Sequence, residues 1–63
     1  MSWELYEVWG VDQDNYEELI DTTNSLKQAR WIAHQQMDLD TLKEVVIFQE
    51  VDGELQEKER IRP

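Results

Sequence analysis

The first apolar segment of the chain, Trp3 to Val11 (WELYEVWGV), has the composition of a β-strand but is apolar on both sides. A strand buried on one face alternates apolar and polar residues, so this pattern leaves open which face is the inner one. Residues 12–15 (DQDN) are turn formers, and residues 16–22 (YEELIDT) have the pattern of a second strand. We therefore predict an antiparallel hairpin with a four-residue loop.

The pattern changes to a helical period in residues 25–38. Ser25 is a suitable N-cap, and Gln28, three residues later, completes a capping box. Trp31 falls almost opposite the apolar stripe of this helix. At about 100° per residue the stripe itself contains Leu26, Ala29, Ala33 and Met37, with Ile32 beside it.

A second hairpin is predicted in residues 39–63, with its turn at Asp52-Gly53. A two-residue turn would pair Glu44 with Ile61, whereas a three-residue loop with a glycine bulge would pair Glu44 with Arg60. The three-residue loop places opposite charges across from each other and gathers apolar residues on one face, so we predict that register. Its apolar face would contain Val45, Ile47, Leu55 and Ile61, with Val46 and Phe48 on the other side.

The element order is thus β-β-α-β-β, and residues 1–63 form a single domain. We predict an α+β fold of two layers, an antiparallel four-stranded sheet with one helix packed on one face. Either sheet face could meet the helix, because both are apolar. Small residues suit close approach by a helix, which favours an inner set of Tyr6, Val8, Gly10 and Leu19.

The other sheet face would then expose aromatic residues within a charged rim, the profile of a partner-binding surface. In the first hairpin, Leu5, Val11 and Ile20 would share this face with the aromatic residues. The predicted partner-binding residues are Trp3, Trp9, Tyr16, Trp31 and Phe48. Two alternatives stay open: both sheet faces are simply core, and Trp31 caps the edge of the core.

Self-association is favoured over a foreign partner. A chain of 63 residues buries a small core, and with no cysteine it has no disulfide to stabilise it. Mutual burial of an apolar face in a homodimer would supply the missing stability. The partner-binding surface is therefore predicted to serve a small interaction or regulatory module.

The chain has fifteen acidic and six basic residues, a net charge of −9, and residues 1–24 contain seven acids and no base. This balance argues against direct binding of nucleic acid, which needs Lys and Arg at the phosphates. The acidic patch of the first hairpin could keep the protein soluble. Alternatively, it could imitate the phosphates that a basic, nucleic-acid-binding protein recognises. The predicted patch contains Asp12, Asp14, Glu17 and Glu18.

The sequence offers little for catalysis or metal binding. Asp12 and Asp14 have the first spacing of an EF-hand loop, but Glu17 stands where that loop needs glycine and Thr23 where it needs glutamate. His34 is predicted to be an ordinary surface histidine. We expect no enzyme activity, cofactor or metal. No apolar run approaches the length of a membrane span, and a cytoplasmic location is expected.

Overall fold

The computed structural model describes residues 4–39 and 41–63, which form four strands and one helix. This order confirms the predicted α+β, β-β-α-β-β architecture. The elements are β1 (Leu5–Asp12), β2 (Glu17–Thr23), α1 (Leu26–Met37), β3 (Leu42–Val51) and β4 (Glu54–Ile61).

The four strands form one antiparallel sheet in the order β2-β1-β3-β4. The longest strand, β3, lies beside β1 in the centre, and β2 and β4 form the two edges. α1 connects the edge strand β2 to the central strand β3 and packs on one face of the sheet. No helix in the described part of the chain has the length and apolar character needed to cross a membrane.

The helix begins where the sequence predicted. The Ser25 hydroxyl accepts a hydrogen bond from the backbone N–H of Gln28 at 3.3 Å, which confirms the N-cap. Thr23 Oγ1 accepts the backbone N–H of Ser25, so a threonine takes the place predicted for the Gln28 side chain in the capping box. The helix ends at Met37, where the N–H of Asp38 still bonds the carbonyl of His34.

The core lies between α1 and the two central strands. Ala29 and Ala33 are fully buried, and their small side chains let the helix approach the sheet closely. The hydroxyl of buried Tyr6 reaches the edge of the core and donates to Glu4 Oε2 at 3.0 Å. The remaining buried members of this cluster are Val8, Val45 and Ile47, with Ile20, Leu26, Ile32, Met37, Leu42 and Ile61 packed around them.

The first hairpin differs from its prediction by one residue. Asp12 and Tyr16 close the loop through a 3.0 Å hydrogen bond, so the loop is three residues long and ends with Asn15 at φ 67°. Trp9 consequently pairs with Leu19. The predicted face of Leu19 is wrong, since it lies away from the helix.

The same one-residue shift places Ile20 on the helix side, where a β-bulge in β2 begins. Val8 pairs with Asp21, whereas Trp9 pairs with Leu19, so Ile20 is the extra residue between them. Ile20 packs against the core. The prediction that it shares the face of Trp9 is therefore wrong. The inner positions predicted for Tyr6, Val8 and Gly10 are confirmed.

The second hairpin has the two-residue turn, not the predicted three-residue loop. Asp52 and Gly53 have φ values of 52° and 83°, as a type I′ turn requires, and Glu50 pairs with Leu55. The bulge lies within β4 instead: Phe48 pairs with Glu57 but Ile47 with Glu59, leaving Lys58 as the extra residue.

This bulge sorts the apolar residues of β4 differently from the prediction. Val45 pairs with Ile61, which reaches the core, whereas Leu55 lies on the opposite sheet face beside Glu50. The predicted clustering of Leu55 with Val45, Ile47 and Ile61 is therefore wrong. The physical reason is that a chain can place its extra residue in the strand as well as in the turn.

Gly10 is required by close packing. A Cβ at this position would lie 2.9 Å from Ile20 Cδ1 and 3.0 Å from Leu42 Cδ1. Both atoms are the ends of flexible side chains that can move by a few tenths of an ångström. A single methyl group is thus tolerable here, whereas a branched side chain is not.

We predict that Gly10→Val lowers the free energy of unfolding by about 1–3 kcal/mol, because it overpacks the contact between Ile20 and Leu42. A 63-residue domain has a total of only roughly 3–9 kcal/mol, so the loss is large. Gly10→Ala is the matched control and should change stability by less than about 1 kcal/mol. Urea unfolding measures both. Equal stability of the two variants would contradict the packing described.

Candidate interaction surface

The face of the sheet opposite α1, here called the outer face, has no described helix or strand over it. Its residues follow from the strand pairing. β1 and β2 contribute Leu5, Glu7, Trp9, Val11, Glu17 and Leu19; β3 and β4 contribute Glu44, Val46, Phe48, Glu50, Leu55, Glu57 and Arg60.

An apolar strip crosses the centre of this face. Trp9 pairs with Leu19 on one side and with Val46 on the other, and Phe48 is the next outward residue of β3. Val46 is only 3% exposed although no element covers it, so its larger neighbours must shield it. Leu19 is 45% exposed. We call these four residues, Leu19, Trp9, Val46 and Phe48, the apolar strip.

Trp9 is held in place by its own strand. Its indole Nε1 donates to Glu7 Oε1 at 2.9 Å, and Glu7 lies two residues earlier on the same face. The one polar group of the ring is thus satisfied within the monomer, and the side chain is half-buried. A fixed aromatic ring with its donor already paired loses little freedom when it is covered.

Four charged residues form an ionic cluster at the β4 side of the outer face: Glu44, Glu57, Arg60 and Arg62. Arg60 donates to Glu44 Oε1 at 2.5 Å and to Glu57 Oε1 at 2.6 Å, and Arg62 Nε donates to Glu44 Oε2 at 2.9 Å. Glu44 is buried under both guanidinium groups. The predicted pairing of Glu44 with Arg60 is wrong, since Arg60 pairs with Val46, but the two side chains do meet.

The cluster shifts the titration of its members. Hydrogen bonding from Arg62, aided by the positive charge of Arg60, holds the pKa of Glu44 below its usual value, against the opposing effect of burial. The hydrogen bond from Arg60 lowers the pKa of Glu57 in the same way. The pKa of Arg60 is raised, chiefly by its hydrogen bond to Glu57.

Of the four predicted partner-binding residues that the structure describes, it brings two together. Trp9 and Phe48 both belong to the apolar strip. Trp31 lies on the solvent side of α1, on the other side of the molecule, and is 59% exposed, so the alternative that it caps the core is wrong. Trp3 lies outside the described residues.

Tyr16 does not share the face of Trp9, contrary to the prediction. The one-residue shift of the first hairpin pairs Tyr16 with Asp12 and turns it toward the helix side, where it is 73% exposed. It borders a depression of about 210 Å³ with Glu18, Ile20 and Gln36. A wider, open groove of about 450 Å³ lies along α1 and is lined by Ser25, Lys27, Gln28 and Trp31.

The predicted acidic patch is not one surface. Asp12 Oδ1 accepts the backbone N–H groups of Asp14 and Tyr16, at 2.9 and 3.0 Å, and so shapes the loop. Glu17 pairs with Val11 and faces outward, whereas its neighbour Glu18 faces the helix side. The loop and the two sheet faces therefore divide the four acids between them.

Among the described residues, the acids that form ion pairs all belong to β3 and β4. The four ion pairs found among the described residues use Glu44, Glu57 and Glu59 as their acids, the last with Arg30 of α1 at 2.8 Å. None of these four ion pairs includes an acid of the first hairpin, so the negative charges there have no cation beside them in these contacts. Within residues 4–39 and 41–63, no group of three metal-ligating side chains converges.

Comparisons of the chain with family models, with curated proteins and with solved structures find no match. No activity or partner carries over from a relative.

We predict that acid destabilises the wild type partly through Glu44. Because its pKa is lowered in the folded state, its contribution to stability is present above the unfolded value of 4.5 and is lost as pH falls through the folded value. Glu44→Gln should be less stable than wild type near neutral pH. Its stability should also decline less between about pH 5 and pH 3.

The matched control is Glu54→Gln at the exposed second turn, which removes one carboxylate without touching the ionic cluster. Thermal unfolding at several pH values gives the comparison. A Glu44→Gln profile parallel to that of wild type would mean that the cluster has no part in acid stability.

Proposed function

We propose that the protein is a small protein–protein interaction module, located in the cytoplasm, that associates with a second copy of itself through the outer face. The observation that supports this most directly is the apolar strip. Trp9 lies at its centre, with its indole N–H paired to Glu7 and no described element above it. Trp is the residue type that most often supplies binding energy at protein interfaces.

The area of the outer face sets the affinity that we expect between two copies. Four strands of about eight residues cover roughly 26 Å by 19 Å, or about 500 Å² per copy. Two copies would bury about 1,000 Å², the lower limit for a specific interface. The proposed dimer is therefore weak, with a dissociation constant in the micromolar range.

A second copy fits this face better than a foreign protein because the chain itself gains from the contact. The largest fully buried side chains of the monomer are only Ile47, Val8 and Val45. Pairing two outer faces would put the apolar strips of both copies into one shared core. A domain too small for a large core of its own commonly obtains stability in this way. The proposed role is binding, not catalysis.

A second candidate function is the acidic mimic, a protein that occupies the nucleic-acid site of a basic partner. The uncompensated acids of the first hairpin favour it. The two functions respond oppositely to salt. Two copies that each carry −9 repel one another, so salt should tighten the dimer, whereas it should weaken binding of a basic protein.

We predict that Trp9→Glu abolishes the dimer, because it places a charge in the middle of the apolar strip. Trp31→Glu is the matched control: it makes the same substitution at an exposed tryptophan on the far side of the molecule and should leave the dimer intact. Sedimentation at tens of micromolar measures association. Circular dichroism shows whether each variant is folded.

Three results would count against the proposal. A wild type that stays monomeric at hundreds of micromolar would refute self-association. A dimer that survives Trp9→Glu, or one that Trp31→Glu disrupts, would place the interface elsewhere.

For the mimic, we predict that neutralising Asp14, Glu17 and Glu18 with Asn or Gln abolishes binding to a purified basic, nucleic-acid-binding protein. Asp12 is left in place because its carboxylate shapes the loop. A panel of such proteins is titrated with the chain at rising salt and with added duplex DNA as competitor. Binding that survives neutralisation, or that DNA does not displace, excludes the mimic.

A further inference from the structure

Resting on the proposed self-association, we propose a specific orientation for the dimer. The two-fold axis runs along the strands, so that the β4 side of one copy covers the β2 side of the other. In this arrangement Glu17 of each copy faces Arg62 of the second copy.

Charge is distributed asymmetrically across the outer face. At the β2 side Glu17 faces outward, and its strand contains no base. At the β4 side Arg60 and Arg62 lie together with Glu44 and Glu57, so that acids and bases balance there. The β4 side therefore offers the cations that the β2 side lacks.

Glu17 and Arg62 mark the two ends of one row across the sheet. Glu17 pairs with Val11, Val11 pairs with Glu44, and Glu44 holds Arg62 at 2.9 Å. The side chain of Arg62 is 68% exposed, so it can reach a partner while it remains near Glu44. The two ends of this row carry opposite charges.

Two copies of a sheet that pack face to face with nearly aligned strands have their two-fold axis either along the strands or across them. An axis across the strands would place β2 over the β2 of the second copy, acid against acid. An axis along the strands, between β1 and β3, places β2 of one copy over β4 of the other. Each row of paired residues across the sheet then lies over the same row of the second copy. Packed sheets usually cross at about 30°, which displaces Glu17 from the position opposite Arg62 by only about one residue.

The apolar strip supports the same choice. Its central row contains a large residue on β1, Trp9, and a small, buried one on β3, Val46. An axis along the strands sets Trp9 of each copy over Val46 of the other, large on small. An axis across the strands would set Trp9 on Trp9 at the centre, which spaces the sheets apart and leaves gaps beside the rings.

A charge swap tests the orientation. Glu17→Lys and Arg62→Glu should each weaken self-association by about tenfold, because each turns two attractive contacts into repulsive ones. A mixture of the two variants should associate within about threefold of wild type. The mixed dimer has the same total charge as the wild-type dimer, so net charge cannot explain the recovery.

The effect of net charge on Glu17→Lys alone needs its own control. Glu54→Lys changes the charge equally but lies at the second turn, off the outer face. It should tighten the dimer by lowering repulsion, whereas Glu17→Lys should weaken it. Sedimentation of each variant at low ionic strength gives the comparison.

Cysteine crosslinking provides a test that does not depend on charge, since the chain contains no cysteine. Glu17→Cys mixed with Arg62→Cys should form a disulfide between copies, and neither variant alone should do so efficiently. This test also applies if Arg62→Glu proves unstable.

The outcomes separate the orientation from the proposed function. A wild-type dimer that Trp9→Glu disrupts, but whose charge-swapped mixture is no stronger than either variant alone, overturns the orientation only. A Glu17→Lys variant that associates at least as tightly as Glu54→Lys assigns the axis across the strands. A monomeric wild type overturns both proposals.

Discussion

One short helix has to cover one face of a four-stranded sheet, and the rest of the structure depends on that constraint. α1 has 12 residues and meets the sheet through its stripe around Ala29 and Ala33. The helix-side core cluster is accordingly a single layer between the helix and the two central strands, and Val11 and Val46 are buried on the outer face by their neighbours. Every apolar residue that the helix cannot reach has to lie at an edge or on the outer face. Trp9, Leu19 and Phe48 occupy that outer face.

The turns and bulges of the two edge strands decide which residues obtain a place in the core. In β2 the three-residue turn places Ile20 inward and Leu19 outward. In β4 the two-residue turn leaves Leu55 outside, and the extra residue then brings Ile61 inward. The β4 bulge has a second effect. It places Arg60 on the same face as Glu57 and Glu44, so the ionic cluster exists only because the strand is irregular.

Local signals explain which parts of this fold could be predicted from the sequence. The helix, its Ser25 cap and the inner positions of Tyr6 and Val8 follow from periodicity, capping and residue size, which act within a few neighbouring residues. The faces of Leu19 and Leu55 could not be predicted, because a change of one residue in the length of a turn reverses the face of every residue that follows it, and the sequence did not fix either turn length. Of the predicted surface residues, Trp9 on β1 and Phe48 on β3 came together, since the pairing of these two strands is regular from Leu5 to Val11 and shifts only beyond it.

The ionic cluster has a structural as well as a surface role. Glu44 is nearly buried, and a carboxylate in such a position needs charged partners to offset its lost hydration. Arg60 and Arg62 supply them from the end of β4, after the bulge. A β4 without its extra residue would turn Arg60 to the helix side and leave Glu44 short of a partner. The cluster therefore favours a β4 with the extra residue Lys58 over a β4 without it.

The edges of the sheet determine which route of self-association is left open. An unpaired edge strand invites addition of another strand, and bulges and charged side chains oppose it. β2 has both, with Ile20 at its bulge and Glu17, Glu18 and Asp21 along its length. β4 has Lys58 at its bulge and alternating charges beside it. Edge-to-edge growth is thus opposed at both sides of the sheet, while the outer face presents Trp9 at its centre. A sheet can associate edge to edge, which continues without limit, or face to face about a two-fold axis, which stops at a dimer. The edges of this sheet oppose the first way and leave the second open.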